Sequence, residues 1–300
     1  MNKRCTAGFS LLAMILLLGV HKAEAQEVGE YGFLEIPVSS RAAALGGSAI
    51  SVVEPEVGLI DQNPALLCPE MAGQVALSYI NYVSDINLGY AAYAGKFLDG
   101  AWSGAIRYVD YGSFARYDEN GAPAGTFSAK DIAFSASIGY PVNDRLNIGA
   151  TLRGIYTHYE AYGAFAMDVD VGLNYYNDEV GRSLSLVVTN LGGQIKSLYD
   201  RYQHLPTQIA AGFSKEVEHL PLCVSVSAVR LLDWDTDFIK HFVLGAEWLI
   251  TDQIYFAAGY NFRHLSAGGG FKYRQWNFQL AYARYNRLDG SLNLGISYQR

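Results

Sequence analysis

The run MDVDVGLNY at residues 167–175 alternates large apolar side chains with acidic, small or amide side chains. Successive side chains of a β-strand point to opposite faces of the sheet, so this alternation places all of the apolar residues on one face. The same alternation recurs at residues 254–262, 276–282 and 292–298. The pattern predicts strands that have one apolar face and one polar or small face.

Fourteen segments of this character follow one another along the chain. They cover residues 74–81, 86–97, 102–111, 131–140, 145–158, 165–176, 182–190, 207–216, 222–232, 242–250, 254–262, 265–273, 276–285 and 291–299. Most of them approach the roughly nine to eleven residues that a tilted strand needs to cross a bilayer. The segment 265–273 contains Gly268-Gly269-Gly270, and we interpret it as a strand with a kink or bulge.

The connections between these segments differ in length according to their position. Those after even-numbered strands are short, whereas several of those after odd-numbered strands are long and polar, at residues 112–130, 191–206 and 233–241. Such sorting is typical of outer-membrane barrels, in which the short turns face the periplasm and the long loops face the cell surface. A soluble β-sandwich also has alternating strands, but it gives no reason for the sorting.

The first 25 residues predict export from the cytoplasm. A basic start at residues 2–4 is followed by an apolar stretch at 7–20 and by small residues before Gln26, which is the arrangement of a cleavable signal peptide. The apolar stretch is too short to anchor the chain as a membrane helix. Cleavage removes three basic residues and one acidic residue, which changes the formal net charge from −7 to −9.

The composition excludes several other classes of protein. Only 17% of the residues are charged, against about a quarter in an ordinary soluble domain. The acidic net charge argues against a nucleic-acid partner, because such proteins normally carry a basic face. Cys68 and Cys223 remain after cleavage, and both a disulfide in an oxidising compartment and two free apolar thiols are compatible with the sequence.

These observations predict an all-β protein, a transmembrane outer-membrane β-barrel of about 14 strands over residues 74–300. The barrel is preceded by a short helical plug at residues 26–73. A serine-capped helix is expected around Arg41, ended by Gly46 and Gly47, and a second helix start is expected at Asn63-Pro64. A compact helical segment ahead of a barrel fits inside the lumen, where it closes the pore.

Charged residues within the predicted strands fall on the face opposite the apolar one. They are Arg107, Asp131, Arg153, Asp168, Asp170 and Glu247. The lumen tolerates such charges, whereas an Arg or Lys on the lipid face costs about 2–4 kcal/mol near the bilayer midplane. The pair Asp168 and Asp170 resembles a carboxylate dyad, but ion pairs with Arg107, Arg153 or Arg41 are the favoured interpretation.

The sequence offers no candidate for a catalytic, cofactor-binding or metal-binding site. No nucleophile motif, dinucleotide motif or metal-ligand spacing occurs in it. Two predicted surface loops carry residue types that are enriched at protein interfaces. These candidate partner-binding residues are Phe114, Tyr117, Phe127, Tyr199, Arg201 and Tyr202. The alternative is that the loops pack on their own barrel rim.

Two blocks in the plug carry a family resemblance. FLEIPVSSRAAALGG at residues 33–47, together with QNPALL at 62–67, resembles the start of the PorV/PorQ family of the type IX protein secretion system. That family is similar to the FadL-type long-chain fatty-acid transporters, which are fourteen-stranded outer-membrane barrels with an N-terminal hatch. The resemblance is specific over residues 31–67 and extends in layout over the whole mature chain.

The resemblance implies a non-enzymatic role in the cell-surface attachment complex that joins secreted cargo to anionic lipopolysaccharide. The implied partners are outer-membrane lipid, PorZ most directly, PorU and PorV, with lipopolysaccharide contacted indirectly. The alternative is a FadL-like transporter of long-chain fatty acids or other hydrophobic small molecules. In such a transporter Gly104 could supply the kink for a lateral opening, although a lone glycine in a strand more often marks close packing. A further alternative is a PorV-like cargo shuttle. All three place the chain in the outer membrane of a Gram-negative bacterium.

Overall fold

The computed structural model describes residues 31–118, 120–160, 162–197, 203–231, 237–286 and 289–300. Fourteen strands form one closed antiparallel barrel in which the first strand pairs with the last, from Gln74 opposite Gln299 to Asn81 opposite Leu292. This confirms the predicted fold class and the number of strands. The predicted signal peptide lies outside the described residues.

The strands follow the predicted order. They are β1 Gln74–Asn81, β2 Asn87–Phe97, β3 Gly100–Tyr117, β4 Pro123–Asn143, β5 Leu146–Tyr159, β6 Tyr162–Asn177, β7 Arg182–Lys196, β8 Gln208–Glu216, β9 Leu222–Ala228, β10 Phe242–Thr251, β11 Ile254–Asn261, β12 His264–Tyr273, β13 Trp276–Tyr285 and β14 Gly290–Gln299. The predicted kink at Gly268-Gly269-Gly270 is wrong, because β12 keeps a continuous register with both β11 and β13 there.

The outer face of the barrel is apolar and exposed. On β6 the residues at odd positions from Phe165 to Tyr175 point outward, while Asp168 and Asp170 are buried on the lumenal face. The same alternation places Phe134 and Leu152 outward, with 59% and 50% of their surface exposed. A closed sheet satisfies its backbone hydrogen bonds internally, so this apolar band suits a hydrocarbon environment.

The two ends of the barrel differ, and we call them the short-turn end and the loop end. The connections β2–β3, β4–β5, β6–β7, β8–β9, β10–β11 and β12–β13 meet at the short-turn end, together with Gln74 and the carboxyl terminus. The predicted long loop at residues 112–130 is wrong. There β3 and β4 continue their pairing past a bulge at Gly112, through Phe114 opposite Phe127, to Tyr117 opposite Pro123.

We call residues 111–130 the projecting hairpin. It forms a paired structure, and not the predicted loop, because several of its residues have a high preference for β-strands. Phe114, Thr126 and Phe127 are aromatic or β-branched and fit a pleated surface. The bulge shifts the alternation of apolar and polar residues by one position. The strict two-residue period therefore ends at the bulge, although the strands continue beyond it. For the same reason β7 continues to Lys196, beyond the predicted end at residue 190.

The segment ahead of β1 lies inside the barrel. It contains the helix α1 Ser40–Ala44 and the 3-10 helices Gly32–Glu35, Val57–Asp61, Pro64–Leu66 and Pro69–Met71. Further 3-10 turns lie in the connections at Val83–Asp85, Asp178–Val180 and Phe238–His241. No helix of the described chain has the length and apolar character needed to cross a bilayer.

Leu152→Arg, in the middle of the outward face of β5, is expected to lower the free energy of unfolding in lipid vesicles by about 2–4 kcal/mol. The matched control is Thr126→Arg, which lies in the exposed part of the projecting hairpin and is expected to change that value by less than about 0.5 kcal/mol. Urea titrations followed by tryptophan fluorescence measure both. Equal effects of the two variants would contradict a lipid-facing position for Leu152.

Candidate functional site: the plugged lumen

Helix α1 brings Arg41 to the barrel wall. The Ser39 hydroxyl accepts a hydrogen bond from the Ala42 backbone N–H at 3.3 Å, which caps the first turn. Gly46 and Gly47 end the helical segment with φ values of +86° and +93°, a conformation that strongly favours glycine. The cap and the two glycines match the signals read from the sequence.

Arg41 is the centre of a buried ion-pair cluster. Its side chain is 2% exposed, and its Nε lies 3.0 Å from Oε2 of Glu56. Nη1 donates to Glu247 on β10, and Nη2 lies 3.7 Å from Glu54. The guanidinium also stacks 4.0 Å from the ring centre of Tyr255 on β11. Burial by itself lowers the pKa of Arg41, but Tyr255 and the surrounding carboxylates raise it well above its ordinary value.

Glu56 extends this cluster to other parts of the molecule. Its Oε1 accepts from the Ser39 hydroxyl at 2.5 Å, and its Oε2 accepts from Nε2 of Gln279 on β13 at 2.8 Å. We call Arg41, Glu56, Glu247, Tyr255 and Gln279 the Arg41 latch. The latch joins the plug to three strands of the wall through bonds that are shielded from water.

A second polar cluster lies on the opposite side of the lumen. Arg153 on β5 contacts Asp168 at 3.0 Å and Asp170 at 2.6 Å on β6, and its Nη1 also donates to Asn190. This places Asp168 and Asp170 in ion pairs with Arg153. Of the pairings considered from the sequence, Arg107 and Arg41 instead contact plug and wall carboxylates.

Arg107 ties β3 to the plug. It pairs with Asp61, and its Nη1 donates to the carbonyl oxygen of Phe33 at 2.8 Å. Asp131 on β4 accepts from the Tyr111 hydroxyl at 2.6 Å. All six predicted lumenal charges are therefore buried inside the barrel, and five of them form ion pairs in the described structure.

Rows of glycine in the wall receive the plug backbone, and the sequence analysis missed them. Gly139, Gly149 and Gly172 are register neighbours on β4, β5 and β6. A Cβ at any of them would overlap the segment from Asn63 to Leu67. Glycine has no side chain and so permits this close approach of two backbones. A visible signal was glycine at lumenal positions of consecutive strands.

A second row lies on the other side, under the end of α1. Gly245 on β10 is opposite Gly259 on β11, and both contact Leu45 or Gly46 of the plug. At the first glycine row, the Asn63 side chain fixes the conformation of the plug segment. Its Oδ1 accepts a hydrogen bond from Ala65 N–H at 3.0 Å, and its Nδ2 donates to the carbonyl oxygen of Ile50 at 2.7 Å. The turn at Asn63-Pro64 therefore packs against the glycine row of β4 to β6, and the turn at Gly46-Gly47 packs against the glycine row of β10 and β11.

The loop-end half of the lumen is filled by an apolar cluster. Tyr31, Phe33 and Leu34 of the plug pack with residues of the wall and of the β7–β8 connection. The wall and connection residues are Ile80, Leu88, Val109, Ala133, Ile155, Ala166 and Leu205. A space of about 10 Å³ beside Ile36 and His264 holds no more than one water.

The barrel wall has no kink at Gly104. This residue pairs with Tyr93 on β2 and with Ala136 on β4, and the register is continuous on both sides. The kink at Gly104 that the transporter alternative requires is therefore absent from the described conformation. Without a break in the ladder, this part of the wall offers no lateral opening.

The candidate interface residues separate into two groups. Phe114 and Phe127 stack with ring centres 5.4 Å apart, and Phe127 also contacts Tyr159 at 5.1 Å. Tyr117 at the tip is 62% exposed. The predicted loop residues Tyr199, Arg201 and Tyr202 lie outside the described residues.

Cys68 and Cys223 are both free thiols, so the structure contains no disulfide between them. Burial raises the pKa of the Cys68 thiol to about 12. At neutral pH this thiol is almost entirely protonated and therefore a poor nucleophile. Within the described ranges, no group of three His, Cys, Asp or Glu side chains is arranged to hold a metal ion.

Arg41→Met is expected to destabilise the protein by about 3–5 kcal/mol, because it leaves the buried carboxylates of Glu56 and Glu247 without a countercharge. Urea unfolding in vesicles measures the loss. Adding Glu247→Gln to Arg41→Met should recover part of it. The control Arg116→Met breaks a pair whose arginine is 58% exposed, and it should cost at most about 1 kcal/mol.

Gly149→Val is expected to unseat the plug, because the new side chain would occupy the position of the Pro64 and Ala65 backbone. The measurement is ion conductance in a planar bilayer, and discrete channel openings should appear in the variant that are absent in the wild type. Gly89→Val is the control, since a Cβ at Gly89 meets nothing within 4 Å. Equal conductance of the two variants would contradict the role of the glycine row.

Comparison with solved structures identifies the fold. The toluene transporter TodX of Pseudomonas putida superposes with a TM-score of 0.58 at 12% identity, over 86% of this chain and 96% of that chain. A TodX monoaromatic hydrocarbon channel with a ΔS2 mutation gives 0.60 at 14% identity, over 88% and 98%. A FadL homologue of Pseudomonas aeruginosa gives 0.55 at 11% identity, over 88% and 99%.

No protein-family model and no curated protein sequence matches the chain. Of these structures, TodX is described as a toluene transporter and the third as a FadL homologue. At 11–14% identity they establish the architecture. The chain therefore has the FadL-like fold of outer-membrane barrels.

Proposed function

We propose that this protein is a non-conducting outer-membrane barrel that anchors partner proteins at the cell surface. Following the sequence resemblance, the proposed assembly is the type IX attachment complex, with PorZ as the direct partner and PorU and PorV as further members. The chain itself then performs no chemistry. Its contribution is a rigid, membrane-embedded base.

The observation that carries this proposal is the fixation of the plug. The Arg41 latch and the Arg107–Asp61 pair bury their charges inside the lumen. A buried pair that loses one partner leaves an uncompensated charge at a cost of about 3–5 kcal/mol. Displacing the plug exposes both glycine rows as well. A lumen closed in this way supports a structural role better than continuous passage.

The projecting hairpin supports the same proposal from the loop end. The hairpin continues β3 and β4 beyond the ends that the sequence predicted for these membrane-spanning strands. Phe114 and Tyr117 on it are 43% and 62% exposed. Aromatic side chains held on a paired hairpin lose little conformational entropy on binding, which is the property of interface anchors.

A second candidate function is transport of a hydrophobic small molecule, and the structural comparisons favour this alternative over the first. TodX is described as a toluene transporter and a monoaromatic hydrocarbon channel. In this chain the loop-end half of the lumen is apolar, but Tyr31, Phe33 and Leu34 of the plug fill it. A transport cycle therefore requires these residues to move out and a path past the glycine rows to open.

Locking the plug separates the two functions. A Cβ built on Gly295 lies 2.9 Å from the Ser40 hydroxyl oxygen, so Ser40→Cys with Gly295→Cys can form a disulfide. Cys68→Ser and Cys223→Ser provide the background. The oxidised, locked barrel should retain full surface attachment of cargo in a complemented deletion strain. Loss of function on oxidation and recovery on reduction would overturn the anchor and support transport, which uptake of labelled toluene and oleate measures directly.

Removing the aromatic anchors tests the surface. Phe114→Ala with Tyr117→Ala should leave the barrel folded and reduce co-purification of PorZ from mild detergent at least tenfold. Tyr140→Ala is the matched control, because Tyr140 is an exposed aromatic residue (41%) at the other end of β4. Unchanged capture of PorZ by the hairpin variant would exclude the projecting hairpin as the contact.

A further inference from the structure

A cavity lies at the opposite end of the barrel from the projecting hairpin. It has a volume of about 150 Å³ and opens at the short-turn end, between the plug and the ends of β6 to β10. Val53 and Glu54 of the plug form one side. Glu216, Leu220 and Glu247 form the wall.

The cavity has an excess of negative charge. Glu54, Glu216 and Glu247 all line it, and none of the described residues that line it is basic. Two cations lie within ion-pair distance of these carboxylates: Arg41 is bonded to Glu56 and Glu247 and lies 3.7 Å from Glu54, and Lys272 lies 3.9 Å from Glu54.

One carboxylate oxygen at the cavity has no hydrogen-bond partner among the residues that the structure describes. Glu247 is 3% exposed, and its Oε2 makes no hydrogen bond to any described residue, although its Oε1 accepts from Arg41. A buried carboxylate oxygen without a donor is unfavourable by about 1–3 kcal/mol, or more when charged. A donor brought into the cavity would relieve this cost and offset the excess charge.

Size and lining define the class of group that fits. Pockets for whole small molecules usually measure about 300–1,000 Å³, so this cavity suits one long side chain. Val53, Leu220 and Leu249 offer apolar contacts for an aliphatic stem. Arg41 already shows, on the inner side of the same carboxylates, that they hold a guanidinium.

We propose that this cavity binds the guanidinium or ammonium end of an arginine or lysine side chain of a polypeptide. In outer-membrane barrels the short turns face the periplasm, so the polypeptide approaches from that side. Glu247, Glu216 and Glu54 accept hydrogen bonds from the cation, and the apolar residues cover its stem. This site is independent of the anchoring function and of the partners at the loop end.

The test is isothermal titration of the full-length protein in lipid nanodiscs with the peptide acetyl-Gly-Arg-Gly-amide. The neutral isostere acetyl-Gly-citrulline-Gly-amide has nearly the same shape and should bind at least tenfold more weakly. Glu216→Gln should weaken binding of the arginine peptide about tenfold. Glu218→Gln is the matched control, because Glu218 is 73% exposed, lies beside Lys215 and does not line the cavity.

Equal affinity for the arginine and citrulline peptides, or no binding of either, would overturn the proposal. Binding of n-butylguanidinium without binding of the peptide would show a site for small free guanidinium compounds and would reject the polypeptide ligand. The native thiol of Cys223, which lines the cavity, gives a second readout in a Cys68→Ser background. A cationic methanethiosulfonate should modify it at least tenfold faster than an anionic one, and Glu216→Gln should reduce that ratio whereas Glu218→Gln should not.

Discussion

Hydrocarbon offers no hydrogen-bond partner to a peptide group, so a sheet in a bilayer must close on itself. Closing fourteen strands encloses a lumen wider than the side chains of the wall can fill. The rest of this structure answers that constraint. The residues before β1 supply the missing volume, and the wall carries the charges and the glycines that hold them in place. The plug is therefore part of the folded core, which explains why Ala42, Ala44 and Leu59 are fully buried.

The two kinds of plug contact have different physical roles. The glycine rows determine how closely the backbones approach, which is a steric condition that tolerates no side chain at those positions. The Arg41 latch determines orientation, since one guanidinium must meet Glu56, Glu247 and the Tyr255 ring together. Buried ion pairs add little net stability compared with apolar packing, but they penalise every arrangement that separates them. A plug held by both has one favoured position.

Much of the barrel could be predicted from the sequence because alternation is a local property. The strand order, the closure and the lumenal side of Arg153 and Glu247 all follow from period-two patterning. The failures have equally physical causes. The bulge at Gly112 changed the phase of the alternation and made a paired hairpin resemble a loop, and Gly104 lies in an unbroken ladder although its residue type allows a kink.

The site was less predictable because its contacts join distant parts of the chain. Gly149 and Gly172 count as ordinary small residues in the alternation, and only the register shows that they form a row. The ion-pair partners of Arg41 lie up to 206 positions away in sequence, so no local pattern assigns Glu247 to it. The carboxylates of the cavity likewise come from the plug, β8 and β10.

The tether between plug and wall has a consequence for biogenesis. The plug runs directly into β1, and the Gln74 side chain accepts from Val57 N–H at 2.6 Å and donates to the carbonyl oxygen of Pro55 at 2.9 Å. The pairing of β1 with β14 joins the first and the last strand of the barrel. It can therefore form only after the whole chain has been synthesised and β14 is present. During biogenesis the sheet therefore stays open while the plug is already attached to β1, one of its two edge strands. Closure of the barrel and enclosure of the plug are then coupled steps.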